Sequence, residues 1–154
     1  MNKYGLLIIA MVMAACTHKP EIQSEYHGFE NQTWEKNSPI EFIFEIPDTS
    51  TQYSLEASLR YNKSFNFNSL NMNVSLISPS GSSRFQGVSL EMKNSDGTMR
   101  GDEKPEYIEL SFVIYNKLRF NENGNWVLNV MHKMPIDITR GLVGIEFELI
   151  PVVE

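Results

Sequence analysis

The 154-residue sequence contains a single cysteine, Cys16, and no run of basic residues. One cysteine cannot form a disulfide within the chain, so burial of apolar side chains must stabilise the fold. Thirteen Lys and Arg against nineteen Asp and Glu give a formal net charge of −6. This balance argues against nucleic acid, and against anionic lipid headgroups, as the partner surface. We therefore expect no nucleic-acid partner.

Long apolar runs are also missing, because no stretch reaches the roughly 20 residues that a membrane-spanning helix needs. The one apolar segment lies at the start, where Lys3 is followed by residues 4–13 and then by Ala14 and Ala15. A positive start, an apolar segment of about ten residues and small residues at the cut are typical of a secretory signal. The sequence predicts a cleaved signal peptide over residues 1–15.

Cys16 follows this segment directly. Residues 13–16, Met-Ala-Ala-Cys, resemble a bacterial lipobox, in which the cysteine thiol receives a diacylglycerol and becomes the mature N-terminus. We predict that Cys16 is the lipidation site, carrying acyl chains such as palmitate, and that the membrane is a partner through these chains. Each buried methylene contributes about 0.8 kcal/mol, so two or three chains attach the protein permanently. The alternative is a secreted protein with an unused thiol near the cut.

Residues 16–28 are polar, lack periodicity and include Pro20. They predict an acylated cysteine and a flexible tether that holds the domain off the bilayer, with His18 and His27 in solvent. Cleavage after residue 15 leaves about 139 of the 154 residues and a charge of about −7. That length is enough for one domain with a single core, which we place at residues 29–154.

Alternation of apolar and polar residues runs through this domain. It predicts seven strands, within residues 40–46, 53–61, 70–76, 88–92, 108–114, 126–130 and 145–149, with a short turn at 139–143 before the last. One apolar face per strand indicates antiparallel sheets packed on one side. Seven such strands predict an all-β sandwich of two sheets, with Ig-like or jelly-roll connectivity. Trp126, Leu128 and Val130 are expected to face the core.

Several segments together resemble the gliding-motility lipoprotein H family. They are the lipobox, Trp34, the 39–44 and 53–61 strands, 68–70, Gly124-Asn125-Trp126 and the closing 141–146. The resemblance covers nearly the whole mature chain. It implies a role in the envelope machinery for surface gliding, which is coupled to a protein-secretion system. The resemblance supplies no catalytic residues.

The residues themselves indicate no chemistry. His132, the one histidine of the domain, is in phase with Val130 and has no serine or cysteine signature beside it, so we expect a structural role. The carboxylate pairs Glu41/Glu45 and Glu146/Glu148, and the Asp102-Glu103-Glu106 group, are expected to be solvated. We therefore predict no enzyme, no catalytic residue, no cofactor, no metal and no small-molecule ligand.

Two segments leave alternatives open. Residues 94–105 are rich in oxygen-bearing side chains, but lack the regular spacing of a calcium loop, so we expect a long mobile loop that meets a partner rather than calcium. Tyr61, Phe65 and Phe67, interleaved with Asn62, Asn66 and Asn68, predict either a glycan platform or a corner in the sheet.

Two classes of function remain. The first is a lipid-anchored, non-catalytic envelope protein that assembles with other proteins of the gliding and secretion apparatus. The second is a module that binds a glycan or a peptidoglycan fragment. Residues 17–19 contain neither an aspartate for inner-membrane retention nor an acidic cluster for export to the surface. The expected location is therefore the outer membrane, facing the periplasm.

Overall fold

The computed structural model describes residues 19–153, which form eleven strands and a short 3₁₀ turn at Glu30–Gln32. The strands are β1 Gln23–Gly28, β2 Thr33–Glu35, β3 Ile40–Ile46, β4 Gln52–Tyr61, β5 Ser69–Ile77, β6 Ser83–Glu91, β7 Asp102–Glu103, β8 Ile108–Arg119, β9 Gly124–His132, β10 Ile138–Arg140 and β11 Leu142–Val152. The prediction of an all-β fold is confirmed. The seven predicted strands correspond to β3, β4, β5, β6, β8, β9 and β11.

Two antiparallel sheets carry these strands. Sheet one has the order β1-β11-β4-β8-β7, sheet two has the order β3-β9-β5-β6, and β10 pairs with β2 in a separate ribbon. The main strands alternate between the two sheets along the chain, apart from the β5–β6 hairpin, and the first strand lies beside the last. This order is that of a jelly roll. The structure therefore decides between the two connectivities that the sequence left open.

The inner faces of the two sheets form one hydrophobic core. The rings of Phe42 in β3 and Phe147 in β11 meet across it, with 4.8 Å between their centroids. Trp126 is 6% exposed, and Leu128 and Val130 are fully buried. Their predicted inward orientation is confirmed.

The two ends of the sandwich differ, and the strand register defines them. At the turn end, where β1 begins and β11 finishes, residues 47–51, 78–82 and 120–123 connect the strands. At the loop end, residues 29–39, 62–68, 92–107 and 133–141 connect them, and these segments include β2, β7 and β10. The turn at 139–143 predicted from the sequence is mostly strand, with Gly141 alone between β10 and β11.

The predicted tether is wrong for its last six residues, because Gln23–Gly28 forms β1. This edge strand pairs with β11 along its whole length, from Gln23 opposite Leu149 to Gly28 opposite Gly144. Its side chains show no apolar alternation, since the backbone hydrogen bonds to β11 do not require any. Residues 1–18 and 154 lie outside the described residues, and with them the predicted signal peptide and Cys16.

Candidate functional site

The 92–107 segment at the loop end, which contains the 94–105 loop predicted from sequence, is attached to the sandwich at several points. Beneath it the buried Tyr61 hydroxyl lies 3.2 Å from the carbonyl oxygen of Met92 and 2.5 Å from that of Arg100. Burial raises the pKa of Tyr61, so the hydroxyl stays a hydrogen-bond donor. Arg100 also forms an ion pair with Glu91 at 2.7 Å, and β7 pairs with β8. The segment is therefore a preformed surface.

The tip of this segment is a tight turn stabilised by its own side chains. One carboxylate oxygen of Asp96 accepts hydrogen bonds from the Thr98 hydroxyl, at 2.6 Å, and from the Thr98 backbone N–H, at 3.0 Å. These bonds lower the pKa of Asp96. Asp96 thus caps the turn. Between residues 19 and 153, no group of three or more His, Cys, Asp or Glu side chains is arranged so that it could hold a metal ion.

Two glycines fix the path of the loop-end segments. Gly101 has a φ of +115°, and a Cβ there would overlap the carbonyl oxygen of Glu109. Gly141 has a φ of +83°, and a Cβ there would overlap the backbone nitrogen of Phe65. A positive φ alone disfavours other residues, and the backbone contact excludes any side chain. Gly101 lets its loop lie directly against β8, and Gly141 lets the chain between β10 and β11 lie directly against the 62–68 segment.

A cleft of about 410 Å³ opens beside this segment and is lined by residues 62–64 and 103–108. A second cleft of about 320 Å³ adjoins it and shares Lys63, Glu103 and Ile108. Lys63 and Glu103 stand 3.8 Å apart and are 80% and 77% exposed, so their mutual attraction is weak in water. Both charges therefore remain accessible to a partner.

The predicted glycan platform is wrong in its aromatic residues. Tyr61 is fully buried and Phe65 is 1% exposed. Their ring centroids lie 6.1 Å apart, and the Phe65 and Phe67 centroids 5.8 Å apart. The enclosed rings of Tyr61 and Phe65 cannot stack on a sugar. The other interpretation, a corner that turns the chain from β4 into β5, agrees with the structure.

His132 is fully buried behind the β2–β10 ribbon. Its Nδ1 accepts a hydrogen bond from the backbone N–H of Met134 at 3.3 Å, and its ring lies edge-to-face with that of Trp34, at 5.3 Å between centroids. Burial lowers the pKa of His132 and so favours the neutral form of the ring. A histidine without access to solvent cannot meet a substrate, and this arrangement agrees with the structural role predicted from sequence.

An ionic cluster on the outer face of sheet one had no signal in the sequence. The Arg60 guanidinium lies over the rings of Tyr26 and Tyr107, 5.0 and 5.3 Å from their centroids. It pairs with Glu109 at 2.9 Å and with Glu146 at 3.5 Å, on strands far apart in sequence. The bond to Glu109 is the main cause of the raised pKa of Arg60. Every charge in the cluster has a partner, so it fastens the strands together.

The structure thus defines a class of protein, a jelly-roll sandwich whose long loops at one end are exposed and are held by contacts with the sandwich. The predicted lipidation site, Cys16, lies outside the described residues, and among residues 19–153 no helix has the length and apolarity to cross a bilayer.

The model of the GldH lipoprotein family matches residues 21–147, and the chain belongs to this family. The gliding motility lipoprotein GldH of Flavobacterium johnsoniae is 30% identical over 98 residues. The alignment covers 64% of this chain and 61% of the relative, so the chain spans less than two thirds of that protein. The resemblance to this family stated from the sequence is confirmed.

Two of the solved structures that match this chain do so with low scores. The infectious bursal disease virus VP2 subviral particle gives a TM-score of 0.41 at 14% identity, covering 84% of this chain and 33% of that chain. The structure of the Gx strain of that virus gives a TM-score of 0.24 at the same identity, covering 99% of this chain and 47% of that one. Scores this low support no argument about function.

Proposed function

We propose that this chain is a lipid-anchored, non-catalytic component of the bacterial gliding-motility apparatus and of the protein-secretion system linked to it. The observation that carries the proposal is the family match over residues 21–147, which includes most of the sandwich. The apolar segment before Cys16 supports acylation of that residue. The anchor belongs to the outer membrane, with the domain facing the periplasm.

The loop end is the surface through which the protein meets other envelope proteins. Its segments are already held by Tyr61, Gly101 and Gly141. Binding of a partner would therefore cost little conformational entropy for ordering these loops. The surface carries both charge signs, with Lys63 and Lys104 beside Glu103 and Glu106 along one cleft. Such a mixed surface fits a protein partner with complementary charges.

The test is complementation of a deletion in an organism that glides. Deletion should impair surface spreading, or secretion through the linked system, and the wild-type gene should restore it. The Cys16→Ser variant should lose incorporation of a fatty-acid analogue. Incorporation that survives this change would remove Cys16 as the anchor, and a deletion that spreads and secretes normally would contradict the proposed role.

Photo-crosslinking locates the partner surface. A photoreactive residue at Lys104, exposed on the loop end, should capture envelope proteins in living cells. The matched control is Lys117, which is also exposed and lies on β8 toward the turn end. Capture from Lys117 alone, or equal capture from both positions, would contradict the assignment of the loop end as the docking surface.

A further inference from the structure

The distance between the predicted acyl chains and the folded domain is much shorter than the tether of residues 16–28 implies. Lys19 and Pro20 already line a cleft of about 570 Å³ at the turn end, together with Arg119, Pro151 and Val152. Cys16 precedes Lys19 by three residues. A fully extended chain spans at most about 3.6 Å per residue, so Cys16 lies within about 11 Å of Lys19.

This limit fixes which end of the sandwich is near the bilayer. The ten residues of β4 run from the turn end to the loop end, and at about 3.3 Å per residue they span about 30 Å. A segment with a reach of about 11 Å cannot turn the loop end toward the membrane in place of the turn end. The turn end must therefore remain close to the acyl chains.

The side chains around the turn end suit an interface between water and lipid. Ile22, just before β1, is 61% exposed, and Val153, just after β11, is 91% exposed. Lys19 and Arg119 are exposed beside them. Exposed apolar side chains next to cationic ones are the groups that rest at the level of lipid headgroups, because the apolar part enters the boundary while the charge stays in water.

Acidic groups at the same end limit the type of lipid. Glu21 and Glu45 are exposed near Ile22, and Asp48 is occupied as an acceptor for Ser50 and Thr51. The local charge is mixed, and the whole chain is acidic. The contact therefore depends on apolar insertion next to the anchor and does not require strongly anionic headgroups.

We propose that the turn end of the sandwich rests directly on the lipid surface, with Ile22 and Val153 at the boundary and Lys19 and Arg119 at headgroup level. This inference rests on the proposed acylation of Cys16. The strand axes then run roughly perpendicular to the bilayer, and the loop-end surface lies about 30 Å farther from the lipid than the turn end.

Three exposed isoleucines allow a matched test, because they mark three sides of the molecule. Ile22 is at the turn end, Ile43 is on the outer face of sheet two at 57% exposure, and Ile138 is in β10 at the loop end at 42% exposure. Each is replaced by tryptophan in the full chain. The native Trp34 and Trp126 are 2% and 6% exposed and give a common background.

The variants are isolated from cell membranes with their acyl chains and reconstituted into vesicles of phosphatidylethanolamine with a minor part of phosphatidylglycerol. A fraction of the lipids carries brominated acyl chains, which quench nearby tryptophan. We expect Ile22→Trp to be quenched several-fold more than Ile43→Trp or Ile138→Trp, with a blue shift of its emission. Circular dichroism and melting should match those of wild type in all three variants.

The possible failures are distinguishable. Strongest quenching at position 43 would mean that the domain lies on sheet two, and strongest quenching at position 138 would mean that it is inverted. Anchored protein with no difference between the three positions would mean that the domain is held off the bilayer. Each of these three results would contradict the contact of the turn end with the lipid surface, but not the acylation of Cys16. Chains that fail to associate with vesicles and carry no fatty-acid label overturn both the anchor and this contact.

Discussion

At the turn end, segments of four or five residues connect the strands, whereas at the loop end the connections run from seven to sixteen residues. The turn-end connections satisfy their polar groups locally. A carboxylate oxygen of Asp48 accepts from the N–H of Ser50 at 2.8 Å, and the hydroxyl oxygen of Ser78 accepts from the N–H of Ser82 at 3.0 Å. The loop-end connections depend instead on contacts between distant segments, such as Tyr61 with Arg100 and Gly141 with Phe65.

The two ends therefore show two ways in which the conformation of an irregular segment is fixed. A short turn is determined by its own few residues, so it tolerates changes elsewhere in the molecule. A long segment fixed by remote contacts is ordered only while the core beneath it is intact. We therefore expect the loop end to respond to substitutions in its glycines and in its buried histidine, and the turn end to be largely insensitive to them.

The largest effect is expected from Trp126→Ala, which empties part of the core near the turn end. The Trp126 ring packs edge-to-face on Phe120, at 4.8 Å between centroids, and its indole N–H donates to the carbonyl of Glu122 at 3.0 Å. Truncating a buried tryptophan costs about 3–5 kcal/mol, out of the roughly 5–15 kcal/mol available to a domain. Unfolding in urea should show the loss, and Trp126→Phe should recover part of it. Wild-type stability with loss of crosslinking at Lys104 would mean that Trp126 acts at the surface.

Substitutions of glycines at the two ends are expected to have the next largest effect on stability. Gly81, at the turn end, has a φ of +95°, and a Cβ added there would have no atom within 4 Å, so Gly81→Ala carries only the backbone cost of about 1–2 kcal/mol. Gly101→Ala and Gly141→Ala add an overlap with backbone atoms. We expect both to lower the free energy of unfolding by more than Gly81→Ala does, and to reduce crosslinking from Lys104. Equal losses at the three positions would remove the distinction between the two ends.

Acid should weaken the loop end through His132. Burial lowers its pKa in the folded protein below the ordinary value of 6.5, so the unfolded chain binds more protons at low pH and stability falls as the pH drops through that value. His27, half-buried in β1, has its pKa lowered by burial as well. We expect the fall in melting temperature between about pH 7 and pH 5 to shrink in His132→Gln. His27→Gln is the control for the second histidine, and an unchanged pH dependence in both variants would contradict the assignment.

The smallest effect on stability is expected at the loop-end surface itself. Lys63 and Glu103 are mostly exposed, so Lys63→Gln with Glu103→Gln should leave the melting temperature unchanged while lowering crosslinking from Lys104.

Asp96→Ala should disturb only the turn at Thr98, and Asp102→Ala removes an exposed charge, so both should complement the deletion nearly as well as wild type. His132→Ala should complement less well for a structural reason, since it leaves a cavity in the core.

Sequence periodicity identifies the strands that have one apolar face, and it does so for all seven that carry the core. It cannot identify β1, whose pairing with β11 is a backbone interaction, or β2, β7 and β10, which have two or three residues each. The burial of Tyr61 and Phe65 was one of two alternatives that the sequence left open, because Asn and Lys neighbours are equally typical of a surface. Contacts between remote segments, including Arg60 with Glu109 and Glu146, depend on the connectivity that local patterns leave open.

If the chain is anchored through Cys16 as proposed, the pairing of β1 with β11 has a mechanical consequence. The chain enters β1 at the turn end, and six residue pairs join β1 to β11. A pull between the membrane and a load on the loop end would act parallel to the two strands. Their hydrogen bonds lie across that direction, so they would bear the force together in shear rather than open one after another like a zipper.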